Sequence, residues 1–251
     1  MSSITVLPGA ESWSASGGTN GVLVLHGFTG CPQSMRPLAE ACAAAGFSVE
    51  LPRLPGHGTT IADMLPTSWT DWSRAAAAAY DDLAARCARV VVCGLSMGAT
   101  LTAWLATQRP DVAGIVVING AFGPIDEAVR GAIVAARDSG LDRIPGPGGD
   151  IAEPGREELA YGEAPVAGLL SLLDAADALQ ESLARIAIPA LVITSRQDHV
   201  VPPSASEHFV AAVGGPVEHV WLERSYHVAT LDFDAHEIEE RTVAFARRVT
   251  A

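Results

Sequence analysis

Residues 90–108 constrain the fold of this chain more than any other part of the sequence. They carry no charge, begin with a run of valines and continue with helix-forming residues, and Gly94-Leu-Ser-Met-Gly98 stands at the change. The length approaches that of a membrane span, but the two glycines interrupt the apolar run. The stretch therefore predicts a buried strand over 90–93 that turns sharply into a buried helix over 97–108.

Short apolar runs of the same kind recur along the chain and alternate with helical patterns. This alternation is typical of an α/β fold, in which a mostly parallel central sheet carries helices on both faces. The other predicted strands are 21–25, 48–51, 115–118, 190–194 and 217–222. The other predicted helices are 33–45, 69–88, 204–213 and 236–248. Ser68 and Asp71 have the spacing of a capping box before the second of these helices.

The alternation stops between residues 122 and 185, where only Gly/Pro turns and helical patterns occur. Such a stretch is too long for an ordinary connection. We therefore expect a small helical cap, residues 122–185 (the cap segment), inserted into one core that is built from residues 1–121 and 186–251.

Composition excludes several classes of partner. Sixteen basic residues stand against 29 acidic ones, a formal net charge of −13, so the surface repels the phosphates of nucleic acids. No signal peptide or transmembrane segment is seen, so we expect a cytoplasmic protein without stable membrane insertion. The four cysteines show neither a CxxC nor a zinc-type spacing, and no phosphate-binding glycine loop is found. The sequence thus predicts no metal and no cofactor, and it leaves the oligomeric state open.

Ser96 is the candidate nucleophile. It occupies the centre of a G-x-S-x-G pattern between a predicted strand and a predicted helix, where a tight turn exposes a serine hydroxyl. A serine needs a general base, which is in turn oriented by a carboxylate. In this arrangement the acid and then the histidine follow the serine along the chain.

His227 and Asp198 are the candidates for these two roles. Of the seven histidines, His227 alone follows the serine and lies in a loop between the last strand and the last helix. Asp198 is the only carboxylate in the loop after strand 190–194, and Asp126 is the alternative acid. The later Asp232 and Asp234 follow the histidine and break the expected order.

Two backbone N–H groups are expected to bind the oxyanion that forms during acyl transfer. One belongs to Met97, directly after the nucleophile. The other belongs to Phe28, in the glycine-punctuated loop that follows strand 21–25.

Several blocks of the sequence resemble bacterial monoacylglycerol lipases of the α/β-hydrolase fold. The blocks span nearly the whole chain in the same order, and small bacterial carboxylesterases share the first and third of them. They are Leu25-His-Gly-Phe-Thr-Gly30, Leu51-Pro-Arg-Leu-Pro-Gly-His-Gly58, Gly94-Leu-Ser-Met-Gly98, Glu158-Leu-Ala-Tyr161, Asp198-His-Val-Val-Pro-Pro203 and Ser225-Tyr-His-Val-Ala-Thr-Leu-Asp232.

The resemblance implies a cap over an apolar acyl tunnel with a polar exit for glycerol. By position, Pro147 and Glu158 would border the glycerol end. The chain departs from the family where residues 144–149 lack a bulkier aliphatic side chain, and where Ala99 replaces a second glycine. These departures concern substrate size and chain length rather than the chemistry.

The sequence therefore predicts a serine hydrolase that cleaves a small lipid ester, a monoacylglycerol, through an acyl-Ser96 intermediate. A broad-specificity carboxylesterase for short and medium acyl chains is the alternative. A non-catalytic protein of the same fold that binds a small ligand is the minor alternative.

Overall fold

A computed structural model describes residues 5–251 of the chain. Residues 1–4, which belong to the predicted core segment 1–121, lie outside the described residues. The strands are β1 Trp13–Ala15, β2 Asn20–Leu25, β3 Ser48–Leu51, β4 Arg89–Leu95, β5 Val112–Ile118, β6 Arg143–Pro145, β7 Glu163–Pro165, β8 Ala190–Ser195 and β9 Val217–Leu222. Seven of them form the main sheet in the order β1-β3-β2-β4-β5-β8-β9, and β6 and β7 form a separate pair.

Eight α-helices accompany these strands in the described part of the chain. They are α1 Arg36–Ala44, α2 Ile61–Met64, α3 Trp69–Ala84, α4 Met97–Gln108, α5 Glu127–Asp138, α6 Val166–Gln180, α7 Ser204–Ala212 and α8 Ala235–Thr250. None of the helices within residues 5–251 has the length and apolar character needed to cross a bilayer.

The central strands β2, β4, β5 and β8 are buried on both faces, which explains their nearly continuous runs of apolar residues. Leu23 and Leu25 point to the cluster formed with α3, α4 and α7, whereas Val22 and Val24 point to the cluster formed with α1 and α8. Because successive side chains of a strand alternate between faces, both sets must be apolar. All pairings of the main sheet are parallel except that of β1 with β3. The predicted mostly parallel sheet with helices on both faces is confirmed.

Parallel pairing also positions the functional residues. The carboxyl ends of β2, β4, β5 and β8 lie at one edge of the sheet, so the loops that follow them converge there. These loops contain the predicted oxyanion, nucleophile and acid residues.

Several predicted boundaries differ from the structure. Helix α3 ends at Ala84 rather than at residue 88, because the Ala88 N–H bonds to the Thr19 carbonyl as the chain enters β4. Residues Pro32–Met35 form a 3-10 turn before α1. The edge strand β1 was not predicted, since three residues are too few to show a periodicity.

The prediction that residues 122–185 contain no strand is wrong. Strands β6 and β7 pair antiparallel within this segment, each with three residues and each ending in proline. Proline lacks an N–H donor, which confines it to sheet edges and hides such short strands from pattern analysis. Helices α5 and α6 pack on each other through Ile133, Val166 and Leu170.

One part of the cap segment is bonded closely to the core. The Tyr161 N–H donates to the Thr29 carbonyl, and the Leu159 N–H donates to the side chain of Gln33. The Ala152 and Glu153 N–H groups both donate to the Asp232 carboxylate. Residues 150–161 therefore form a strap (the 150–161 strap) across the edge of the sheet where the strand-end loops converge.

Candidate active site

Ser96 lies in a strained turn between β4 and α4. Its backbone has φ 56° and ψ −120°, a conformation that residues other than glycine rarely adopt. A Cβ on Gly94 would collide with the Gly98 carbonyl, and one on Gly98 would collide with the Leu25 carbonyl. The two glycines therefore permit the close contacts that hold the serine between strand and helix.

His227 and Asp198 are joined directly. Nδ1 of His227 donates to Oδ2 of Asp198 at 2.8 Å, and both side chains are buried. Oδ1 of Asp198 accepts from the N–H groups of Val200 and Val201 at 2.8 Å each, so the same carboxylate also fixes its own loop. Because Nδ1 carries the proton, the neutral imidazole keeps its lone pair on Nε2.

Ser96 and His227 both line one large cavity. The Ser96 hydroxyl has no hydrogen-bond partner among residues 5–251, so the serine and the histidine share the cavity without a direct bond in this structure. Hydrogen bonds between a nucleophile and its base are often formed only when substrate is present.

The N–H groups of Phe28 and Met97 are available at the same place. Neither N–H donates to a backbone acceptor within the described residues, and Met97 is the first residue of α4, where N–H groups have no partner inside the helix. Gly27, the residue before Phe28, approaches Ser96 so closely that a Cβ on it would lie 3.4 Å from the Ser96 Cβ.

His26 fixes the peptide that contains the Phe28 N–H. Nδ1 of His26 donates to the Gly27 carbonyl at 2.9 Å, and Nε2 accepts from the Leu54 N–H at 3.1 Å. The Gly27 carbonyl and the Phe28 N–H belong to one planar peptide group, so a bond to the carbonyl orients the N–H. Burial lowers the pKa of His26 to about 4, which keeps the ring neutral.

The cavity itself is mostly apolar and has a volume of about 560 Å³. Its core side is formed by residues such as Phe28 and Met97. Its cap side is formed by Ile133, Leu172 and other aliphatic residues of α5 and α6. An apolar cavity of this volume has room for a hydrophobic ligand such as an acyl chain.

Both residues expected at the polar end line this cavity. Pro147 lies in the loop between β6 and β7, and Glu158 projects from the 150–161 strap. Burial raises the pKa of Glu158 to about 7, and the nearby His227 acts in the opposite direction. Near neutral pH the cavity thus contains a carboxyl group that changes between its neutral and charged forms.

Asp126, the alternative acid, also lines the cavity but has another role in the structure. Its Oδ1 accepts from the N–H groups of Ala128 and Val129 at the start of α5. It makes no hydrogen bond with His227 within the described part of the chain. The arrangement is that of a helix N-cap.

Asn119 and Asp150 are two neighbours of His227 that the sequence did not single out. Asn119 Nδ2 donates to the His227 carbonyl at 2.8 Å, and Asp150 Oδ2 accepts from the His227 N–H at 3.1 Å. Asn119 directly follows β5, and a polar residue at the carboxyl end of a buried strand is a signal that could have identified it. Asp150 lies in a Gly/Pro-rich loop and gave no such signal.

Backbone strain is concentrated at this site. Among the described residues, three that are not glycine have a positive φ: Thr29 at 65°, Ser96 at 56° and Asn119 at 47°. They belong to the loops that follow β2, β4 and β5. Clusters of three or more His, Cys, Asp or Glu side chains that could hold a metal ion are not found within residues 5–251.

Comparison with known proteins identifies the family. A model of the alpha/beta hydrolase family matches residues 22–241. The chain belongs to the alpha/beta hydrolase family, and the predicted α/β-hydrolase fold is confirmed.

Individual relatives cover almost the full length. The chain is 45% identical to a thermostable monoacylglycerol lipase of Bacillus sp. (strain H-257), over 96% of this chain and 95% of that protein. It is 25% identical to a carboxylesterase of Bacillus subtilis (strain 168), over 93% and 94% of the two chains. A solved structure described as belonging to LipS and LipT, two metagenome-derived lipolytic enzymes, has a TM-score of 0.93 and 46% identity, and covers 97% of this chain and 100% of its own. The resemblance to bacterial monoacylglycerol lipases is confirmed.

Proposed function

We propose that this chain hydrolyses monoacylglycerols to glycerol and free fatty acid, with Ser96, Asp198 and His227 as catalytic residues. One observation carries the proposal. The bond from His227 Nδ1 to Asp198 leaves Nε2 as a base in an apolar cavity that also contains the strained Ser96.

The reaction proceeds in two halves. In the first, Nε2 of His227 takes the Ser96 proton while Oγ attacks the ester carbonyl, and the N–H groups of Phe28 and Met97 bind the oxyanion. The ester C–O bond then breaks, and His227 gives the proton to the leaving glycerol oxygen. In the second half, Nε2 of His227 removes a proton from water while the water oxygen attacks the acyl carbonyl. The bond between the acyl carbon and Ser96 Oγ then breaks, and His227 returns the proton to Oγ, which releases the fatty acid and restores the free serine.

The shape and chemistry of the cavity support a monoacylglycerol as substrate. The aliphatic walls supplied by the cap segment suit an acyl chain, and Glu158, which lines the same cavity as Pro147, offers a polar group for glycerol hydroxyls. In this proposal residues 122–185 act as a cap on a core built from residues 1–121 and 186–251. The lipase that is 45% identical to this chain supports the same substrate. A cytoplasmic location stays a prediction from the sequence.

A broad carboxylesterase is the second candidate. It is favoured by residues 145–149, Pro-Gly-Pro-Gly-Gly, which carry no bulky aliphatic side chain to narrow the glycerol end, and by the likeness to the Bacillus subtilis carboxylesterase.

The deciding experiment is fatty-acid release from monoacylglycerols of graded chain length, beside diacylglycerols, triacylglycerols and p-nitrophenyl esters. We expect preferential turnover of monoacylglycerols, and a loss of about 10⁴-fold or more in Ser96→Ala. Turnover of p-nitrophenyl esters alone would instead favour the carboxylesterase. A purified protein that reacted neither with esters nor with a fluorophosphonate would favour the non-catalytic alternative.

A further inference from the structure

Asp150 contacts the loops of both the candidate acid and the candidate base. It lies in the 150–161 strap, and its Oδ2 accepts from the N–H of His227 and from the N–H of His199, each at 3.1 Å. His199 directly follows Asp198. One oxygen atom therefore links the backbone of the base to the residue next to the acid.

Two further bonds from Asp150 go to the same two loops. Its Oδ1 accepts from Nδ1 of His199 at 2.9 Å, and its backbone carbonyl accepts from the Val228 N–H at 3.0 Å. The Asp150 side chain is 15% exposed, so water competes little for these bonds. The residue thus makes four bonds, two to each loop.

The core holds His227 from the opposite side. Nδ2 of Asn119 donates to the His227 carbonyl at 2.8 Å, and Oδ1 of Asn119 accepts from the Ser195 N–H at 2.8 Å. The backbone of His227 is therefore fixed at its N–H by the strap and at its carbonyl by the end of β5. With both peptide groups held, the backbone fixes the direction of the Cα–Cβ bond from which the imidazole reaches Asp198.

We propose that Asp150 is a positioning residue, which sets the distance and orientation between Asp198 and His227 through the backbone N–H groups it accepts. The inference rests on the proposed function of these two residues. It assigns to the strap a part in catalysis. Misplacement of a catalytic group by about 1 Å can reduce a rate by about 100-fold.

Another carboxylate of the region shows what a purely structural contact looks like. Asp232 joins the strap to the base loop through the N–H groups of Ala152, Glu153 and Tyr226. Within the described residues it accepts no hydrogen bond from the backbone of His227 or from the loop of Asp198. Asp150 differs because it bonds both to the loop of the base and to the loop of the acid, and because it accepts the N–H of His227 itself.

A matched pair of variants separates geometry from charge. Asp150→Asn keeps an oxygen that can accept both backbone N–H groups but removes the charge. Asp150→Glu keeps the charge but moves the carboxylate by one methylene. Asp142→Asn serves as the control, because Asp142 is an exposed carboxylate of the cap segment that pairs with Arg143 and lies outside the cavity.

We would measure kcat and KM for p-nitrophenyl butyrate at a temperature at which the unaltered protein and all variants are folded. The Tm of each protein would be measured separately. We expect Asp150→Asn to keep kcat within about 5-fold of the unaltered protein, and Asp150→Glu to lose about 10- to 100-fold in kcat with KM within about 2-fold. Asp150→Ala, where it folds, should lose at least as much as Asp150→Glu. Asp142→Asn should match the unaltered protein.

Three outcomes would overturn the inference. The first is an Asp150→Glu variant whose kcat is unchanged. The second is an equal loss of kcat in Asp150→Asn and Asp150→Glu. The third is a set of Asp150 variants that lower Tm but leave kcat unchanged. Should the unaltered protein hydrolyse no ester, the proposed function would fail and the inference with it. If the unaltered protein is active but Asp150→Asn and Asp150→Glu have the same kcat, the inference about Asp150 fails while the proposed function stands.

Discussion

The carboxylate of Glu158 occupies the space that a side chain on Gly30 would need. Oε1 of Glu158 lies 2.6 Å from the position that a Cβ on Gly30 would take. The last glycine of the Leu25–Gly30 block therefore admits this carboxylate into the cavity, beside the loop that contains Phe28.

We predict that Gly30→Ala displaces Glu158 and weakens binding of glycerol esters. KM for a monoacylglycerol should rise about 10-fold, whereas KM for p-nitrophenyl butyrate, which has no glycerol, should change less than about 2-fold. Steady-state kinetics on the two substrates would check this. Gly131→Ala is the matched control, since a Cβ there meets nothing within 4 Å and its position in α5 favours alanine. Equal changes in both KM values would contradict the prediction.

The acid assignment is tested by comparing two aspartates. Asp198→Asn should reduce kcat by about 10⁴-fold, because an amide can present its N–H to the imidazole and favour the wrong tautomer. Asp126→Asn should lose far less, because asparagine is as good a helix N-cap as aspartate. Kinetics of both variants, with circular dichroism to verify folding, would decide. A larger loss in Asp126→Asn would transfer the role of acid to that residue.

Glu158 gives the stability of the fold a specific pH dependence. The Glu158 carboxyl group has a pKa of about 7 in the folded protein, whereas its pKa in an unfolded chain is near 4.5. Stability therefore falls as the pH rises from about 4.5 to about 7. We predict that Glu158→Gln raises Tm relative to the unaltered protein by more at pH 8 than at pH 5.

Thermal unfolding of both proteins at the two pH values would test this. The buried His26 and His57, whose pKa values are lowered by desolvation, act in the opposite sense but equally in both proteins. The exposed neighbour Glu157, changed to Gln, provides the control and should show the same Tm difference at both pH values. A Tm difference for Glu158→Gln that did not grow with pH would refute the prediction.

His26 is predicted to influence turnover through the Gly27–Phe28 peptide. Asparagine at position 26 can place an N–H donor near the position of Nδ1, while glutamine can place its polar atoms near Nε2. We therefore expect His26→Asn to retain more kcat than His26→Gln, with losses of about 10-fold for the latter. Kinetics below the lower Tm would check the order, and a reversed order would show that the bond to Leu54 matters more than the bond to Gly27.

The sequence predicted the elements whose residues repeat a local pattern. The central strands β2, β4, β5 and β8 are buried on both faces, so each appeared in the sequence as a short apolar run with turns at its ends. The order of Ser96, Asp198 and His227 along the chain also follows from the fold, because each lies in a loop after a strand of the same sheet. These residues needed no knowledge of tertiary contacts.

The remaining features depend on contacts between distant segments. Asp150 is far from His227 in the sequence, and only the course of the 150–161 strap brings the two together. The same holds for Gly30, whose missing side chain makes sense only beside Glu158. Strands β6 and β7 pair across a loop of irregular structure, so neither shows a pattern of its own.

The three positive φ angles at Thr29, Ser96 and Asn119 have an evolutionary consequence. Each such conformation costs about 1–3 kcal/mol, which the rest of the fold must offset. Selection for thermal stability alone would favour substitutions that relax these turns. The enzyme would then gain stability and lose turnover. Laboratory evolution toward heat resistance that also screens for turnover should therefore leave these three positions untouched and accumulate its gains elsewhere in the chain.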